Sequence, residues 1–186
     1  MSLGVAEQQR LQQSYQALQR GDIDGARSLL APLLGRRLAP AYHLLGLIER
    51  AAGDREKARA ALQEAVRLDP GNAETRNTLG NLLDDLGDKL GALTEFEAAA
   101  RSQPTYAPAW INAGRLLSHL GRHEEAIATL ERARALAPAS ALALTTLGNA
   151  LRAAERAAES VEVLKRAVAM DPKRTDRRLS LAMSLR

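Results

Sequence analysis

The chain contains no cysteine, one tryptophan, one phenylalanine and three tyrosines among 186 residues. Without cysteine there is no disulfide framework and no thiolate metal site. Aromatics are 3% of a composition that is 46% hydrophobic, so the core has to be built from leucine and alanine. Both lose little side-chain freedom in a helix, which makes this a helical vocabulary. No run approaches the roughly 20 apolar residues of a membrane span. The opening MSLGVAEQQRLQQ lacks the basic and apolar segments of a secretory signal. These absences lead to the expectation of a cytoplasmic protein with no membrane partner. Arginine outnumbers lysine and alanine is abundant, a bias that leans towards a GC-rich bacterial genome. The length suits one domain, 1–186.

The net charge of +4 is local. Residues 173–186 hold Lys173, Arg174, Arg177, Arg178 and Arg186 against one acid, Asp176, and this accounts for the whole excess. The preceding chain is balanced. A nucleic-acid binder of this size carries a basic stripe along its body, so nucleic acid is not favoured as a partner.

What the chain does contain is self-similarity. Gly46, Gly80, Gly114 and Gly148 are each 34 residues apart, as are Pro70, Pro104, Pro138 and Pro172. Ala65, Ala99, Ala133 and Ala167 keep the same period. Ala58, Ala92 and Ala126 form a further column that becomes Ser160 in the last unit, and Leu62, Phe96, Leu130 and Leu164 follow four residues later. From Trp110 to Leu120 apolar residues recur at helical spacing and stop at Gly121, which tolerates the left-handed conformation of a helix end. A second amphipathic run, from His123 to Leu136, ends before Pro138. Gly114 and Ala126 are small where two antiparallel helices must approach, and Ala133 where the next unit packs. One hairpin alone leaves an apolar face wet, so stacking buries the core.

Trp110-x2-Ala113-Gly114-x2-Leu117, then Ala126-x3-Leu130, then Pro138 resembles the tetratricopeptide repeat, W-x2-L-G-x2-Y, A-x3-F and P. The resemblance covers four units, 39–72, 73–106, 107–140 and 141–174. It implies an all-α, right-handed superhelical solenoid of antiparallel helix pairs, about five repeats plus a final helix. Residues 5–38 read as a degenerate first repeat, with Leu11, Tyr15 and Leu18 on one face, a turn at 21–25 about two residues long, and Pro32 interrupting the second helix. Residues 175–186 read as a capping or truncated helix. Glu155 replaces the inter-helix glycine of Gly53, Gly87 and Gly121, so a differently shaped turn is expected there. Leu29, Leu30, Leu33 and Leu34, with the bare last helix, are expected to leave apolar ends through which the chain self-associates.

No phosphate loop, nucleophile elbow or metal-ligand cluster is present, so no catalytic residue, metal or cofactor is assigned and an enzyme is not expected. His119 and His123 have i,i+4 spacing, but Gly121 breaks the helix between them. With His43 they read as surface or packing residues. Adjacent Asp84 and Asp85 do not share a face as a general acid–base pair would.

In proteins similar to this one, the first helices line the concave surface. There this chain offers Asn77 and Asn81, then Asn112, Arg115 and His119, then Thr145, Asn149 and Arg152. Asn81, Arg115 and Asn149 keep the 34-residue period and form one column. An asparagine amide donates to a peptide carbonyl and accepts from a peptide N–H; arginine forks onto a carboxylate. The eight residues therefore form a candidate peptide-binding groove. Some family members grip a carboxylate-terminated chaperone tail with a lysine, asparagine and arginine clamp. Asn81 and Asn112 match its asparagines, but Asn77, Leu142 and Thr146 stand where its charges belong, so the clamp is absent. The asparagines are similar to those in arrays attached to protein-modifying glycosyltransferases. The expected function is a module binding an extended segment of a protein or peptide partner. The alternative is the substrate-recruiting, N-terminal part of a larger protein-modifying enzyme.

Overall fold

The computed structural model describes residues 4–170 and 172–185, and these contain eleven helices and no strand. Arg186, the last base of the tail counted above, lies outside the described residues. The chain divides into two compact units, Met1–Ala92 and Leu93–Arg186. The first holds α1 (Val5–Gln19), α2 (Ile23–Leu34), α3 (Ala39–Ala51), α4 (Arg55–Leu68) and α5 (Ala73–Asp85). Helix α6 (Lys89–Ser102) begins in the first unit and ends in the second. The second holds α7 (Ala107–His119), α8 (His123–Leu136), α9 (Ala141–Ala153), α10 (Ala157–Met170) and α11 (Thr175–Ser184). Within each unit consecutive helices pair as hairpins, α1 with α2 and α3 with α4, α7 with α8 and α9 with α10. Helix α2 packs on α3, α4 on α5, α8 on α9 and α10 on α11, and first helices also touch, α1 with α3 and α7 with α9.

The repeated columns are the contacts that hold these pairs. Ala58, Ala65, Ala126 and Ala133 are fully buried. A Cβ built on Gly46, Gly114 or Gly148 would stand 2.5, 2.5 or 2.4 Å from Cγ of Leu62, Leu130 or Leu164. The glycine is therefore the seat of the leucine that follows the alanine column by four residues. Real Cβ contacts are never that short, so a side chain there pushes the hairpin apart.

The helix-closing prolines also acquire a partner. Trp110 Nε1 donates to the Pro104 carbonyl at 3.0 Å, and Arg76 Nε donates to the Pro70 carbonyl at 2.8 Å. Two unlike side chains at the same repeat position thus satisfy the same otherwise unpaired carbonyl.

Each hairpin turn places one residue in the left-handed region: Gly21, Gly53, Gly87, Gly121, and then Glu155 at φ 60°. The expected difference at Glu155 does not occur. Arg156 N donates to Leu151 O at 2.9 Å, as Asp54 N does to Glu49 O and Arg122 N to Leu117 O. This bond closes the helix end in every case, so the fold imposes the turn on a residue that costs about 1–2 kcal/mol in that conformation.

The first repeat departs from the sequence reading in two respects. Its turn has the same length as the others, with Gly21 followed by the N-cap Asp22, as Gly53 is by Asp54. The two-residue discrepancy lies in α2, which has 12 residues where α4 has 14. Pro32 does not interrupt that helix, which runs on to Leu34. Ser28 and Pro32 are both exposed, so the bond that proline removes is on the solvent side. With this register Ser14 occupies the glycine column, and its buried Oγ donates to Ala26 O at 2.8 Å. The last hairpin uses a hydroxyl in the converse way: Ser160 Oγ donates to Gly148 O at 2.7 Å and bonds Ser184 Oγ of α11 at 2.9 Å.

The leucines expected to leave an apolar face at the N-terminal end are not exposed. Leu30 and Leu33 are buried, and Leu29 and Leu34 pack against the same cluster with Ala17, Ala41, Leu44 and Ile48. In the second unit Ile111, Ala133 and Ala143 form a cluster covered by Trp110.

Candidate functional site

Helix spacing places Arg115, Ser118 and His119 on one face of α7. They line a cleft of about 330 Å³ with Thr146, Asn149, Ala150, Arg152 and Ala153 of α9. The cleft opens because α7 and α9 turn their large apolar residues inward, Leu116 and Leu117 on one and Leu147 and Leu151 on the other. Short Ala150 and Ala153 leave space beside them. No carboxylate lines it, whereas two guanidinium groups and an imidazole do.

Arg152 is the most telling of these groups. It takes part in no ion pair among the described residues, and its Nε is buried without a hydrogen-bond partner. A buried donor left unsatisfied costs about 1–3 kcal/mol. Its place in the last turn of α9, where the helix dipole favours a cation, offsets part of that cost. Arg115 differs, because it already has an interaction of its own. Thr146 Oγ1 donates to Leu142 O of its own helix at 2.9 Å, which leaves its lone pairs for a ligand donor.

Of the eight residues singled out in the sequence, this cleft gathers Arg115, His119, Asn149 and Arg152. Asn112 and Thr145 share the helices but not the cleft. Thr145 Oγ1 is turned back on Ala141 O at 2.7 Å, and half-buried Asn112 has an interaction elsewhere. Asn77 and Asn81 are on α5 of the other unit. Asn77 is only 8% exposed, so its amide is part of the packing rather than an open surface. Ser118 and Thr146 are lining residues that sequence reasoning missed. The i,i+3 spacing from Arg115 was the signal for the first.

A second cleft, wholly in the first unit and about 470 Å³ in volume, had no counterpart in the sequence reading. Leu11, Gln12 and Tyr15 of α1 face Pro40, His43, Leu44 and Leu47 of α3, and Asn72, Glu74 and Thr75 close it at the start of α5. Asn72 caps α5 by accepting from Thr75 N at 2.8 Å, and His43 Nδ1 shares a hydrogen bond of 2.7 Å with Thr75 Oγ1. Burial lowers the His43 pKa below its ordinary 6.5, opposed by the nearby Glu74 carboxylate.

Other sequence candidates have structural roles. Asp85 pairs with Arg50 at 2.9 Å. Helix α7 ends at His119 and α8 begins at His123, so the two histidines are on different helices. Among the described residues no group of three or more His, Cys, Asp or Glu is placed to hold a metal ion, and no helix is long and apolar enough to cross a membrane.

The family model of the tetratricopeptide repeat matches residues 105–173 and 39–72, together more than half of the chain. No curated protein sequence matches at a significant level. Among solved structures, MamA 41-end from Desulfovibrio magneticus RS-1 is similar at 27% identity and a TM-score of 0.71, over 78% of this chain and 82% of that one. TTC0263, a thermophilic repeat protein of this kind in Thermus thermophilus, is similar at 23% identity and a TM-score of 0.72, over 96% and 98%. YrrB, a protein of the same kind with an unusual peptide-binding site, is similar at 19% identity and a TM-score of 0.74, over 90% and 88%. With its 34-residue columns, its helical hairpins and these matches, the chain belongs to the tetratricopeptide repeat family, whose fold is that of protein–protein interaction scaffolds.

Proposed function

We propose that the chain is a non-enzymatic interaction module that holds an extended, acidic segment of a partner protein between α7 and α9. The observation that carries this reading is the convergence of Arg115, His119, Asn149 and Arg152 on a cleft with no carboxylate in its lining. Asn149 suits a peptide backbone, because one amide both donates and accepts. Arg152 suits a carboxylate, which would satisfy its buried Nε. The chain's excess of basic residues is confined to residues 173–186 and does not run as a stripe along the repeats, which favours protein over nucleic acid. The peptide-binding site of YrrB is in keeping with this use of the fold. In the same reading residues 1–186 form one repeat domain, with Asn112 and Thr145 as further positions of the groove between α7 and α9, and Asn77 and Asn81 as positions of the first unit. Self-association belongs to it too, through Leu179 and Met183 of α11 and Leu185 just after it, which are exposed.

The test is a titration of an array of acidic, neutral and basic peptides. Arg152→Gln and Asn149→Ala are compared with Glu131→Ala on α8 and Lys165→Ala on α10. Acidic peptides should bind best, and Asn149→Ala should weaken them by about 0.5–1.5 kcal/mol. The two control variants should bind as the wild type does. Loss of binding in the controls with retention in the cleft variants would sink the mechanism and leave the fold intact.

A further inference from the structure

The cleft of the first unit has the opposite chemistry. Glu74 is the one charged side chain in its lining at neutral pH, and it takes part in no ion pair among the described residues. His43 adds no positive charge there, because burial lowers its pKa and its Nδ1 is engaged by Thr75. The walls are aliphatic, from Leu11, Leu44 and Leu47. Tyr15 is 46% exposed, and among the described residues neither a hydrogen bond nor a cation engages it. Trp110 in the second unit shows how such a ring is used when a cation is available: the Arg132 guanidinium stands over it, 5.3 Å from the ring centre.

We propose that this cleft is a second binding site, which takes a lysine side chain presented by a partner polypeptide. Glu74 meets the ammonium group, the face of Tyr15 stabilises the cation, and Leu11 and Leu47 cover the aliphatic stem. Lysine suits these walls because it buries its methylenes against apolar surface while its charged end reaches polar groups. A carboxylate and an aromatic face together select the cation over a neutral side chain of the same shape. An acidic side chain would meet Glu74 with like charge. Glu74 also sits in the first turn of α5, where an acid is stabilised by the helix dipole. That role alone would give the cleft no preference among peptides, so selectivity is the quantity to measure. The site goes beyond the acidic-peptide cleft in place and in ligand, and either can fail without the other.

The probe is an N-acetylated, C-amidated pentapeptide with lysine between flanking glycines. Its norleucine and glutamate counterparts are the comparisons. Each is titrated into the isotopically labelled full chain and followed by NMR. The lysine peptide should shift the Leu11 and Leu47 methyl signals and give contacts between its methylene protons and the Tyr15 ring. Norleucine should bind about threefold to tenfold more weakly, the sum expected of one exposed ion pair and one cation–π contact. Glu74→Gln should bring lysine down towards the norleucine level and leave norleucine unchanged. Tyr15→Leu, which keeps the apolar wall, should remove part of the selectivity. Arg152→Gln should leave lysine binding as it was. Glu74 and Tyr15 are exposed, and unchanged signals elsewhere in each variant's spectrum establish that the fold is kept. Equal affinity for lysine and norleucine would overturn the proposal, as would selectivity that survives Glu74→Gln or shifts confined to α7 and α9.

Discussion

The cleft of the first unit is walled by leucines and a tyrosine and carries a single carboxylate, Glu74; that of the second is walled by alanines and polar groups and carries two guanidinium groups. Both lie between successive first helices, and both are framed by the same buried columns. Gly46 seats Leu62 in one unit as Gly114 seats Leu130 in the other. The contrast teaches that the repeat constrains only the residues that meet inside and between hairpins. The face left over is free to vary in charge and polarity, because nothing in the packing depends on it.

The largest expected effect tests the shared frame. Gly46→Leu and Gly114→Leu should each destabilise by about 1–3 kcal/mol or more, since overpacking forces two helices apart. Thermal melts check this, and tolerance in one unit alone would break the equivalence of the frames. The next tests the difference between the clefts. Arg152→Glu should weaken an acidic peptide by about 1.5–3 kcal/mol, the range for a hydrogen bond to a charged group, and leave the lysine peptide in the first unit unaffected. Calorimetric titration of both peptides against this variant sharpens the contrast or removes it. A smaller effect concerns the turns. Glu155→Gly should stabilise by about 1 kcal/mol and Gly53→Glu should destabilise by a similar amount, because only the left-handed conformation is at issue. Chemical unfolding midpoints read both.

The smallest effect depends on pH and separates the two units again. The folded pKa of His43 lies below its ordinary 6.5 because of burial. The unfolded chain therefore binds more protons than the folded one in the window between those two values. The stability linked to neutral His43 is fully present above the unfolded value and is lost as pH falls from there through the folded pKa. His43→Gln should remove that acid-side loss, so its melting temperature should fall less between pH 7.5 and pH 5.5 than that of the wild type. An equal fall in both proteins would show that other groups dominate.

Much of the fold could be read from particular residues. The 34-residue columns located the hairpins α3–α4, α7–α8 and α9–α10, because a close helix contact demands a small residue and a helix end favours glycine or proline. The first repeat does not keep the 34-residue period of the others. The true offset is 32, from Gly21 to Gly53, and the shortened α2 leaves no mark in composition. Half of the candidate site residues converge in one cleft, since helical spacing says which side chains share a face. Asn77 and Thr145 could not be judged that way, because burial and hydrogen bonding to the chain's own backbone depend on neighbouring helices.

The sequence by itself determined the class of element, the period and the residues at each close contact. Those follow from sterics between near neighbours and from an amphipathic pattern that needs stacking to become dry. Only the tertiary structure decided where the leftover faces form clefts and what charge each presents. Arg152 Nε is left without a partner, Asp85 is paired with Arg50, and Tyr15, His43 and Glu74 of three helices line one cleft. Such pairings join residues dozens of positions apart, and no local rule of spacing carries them.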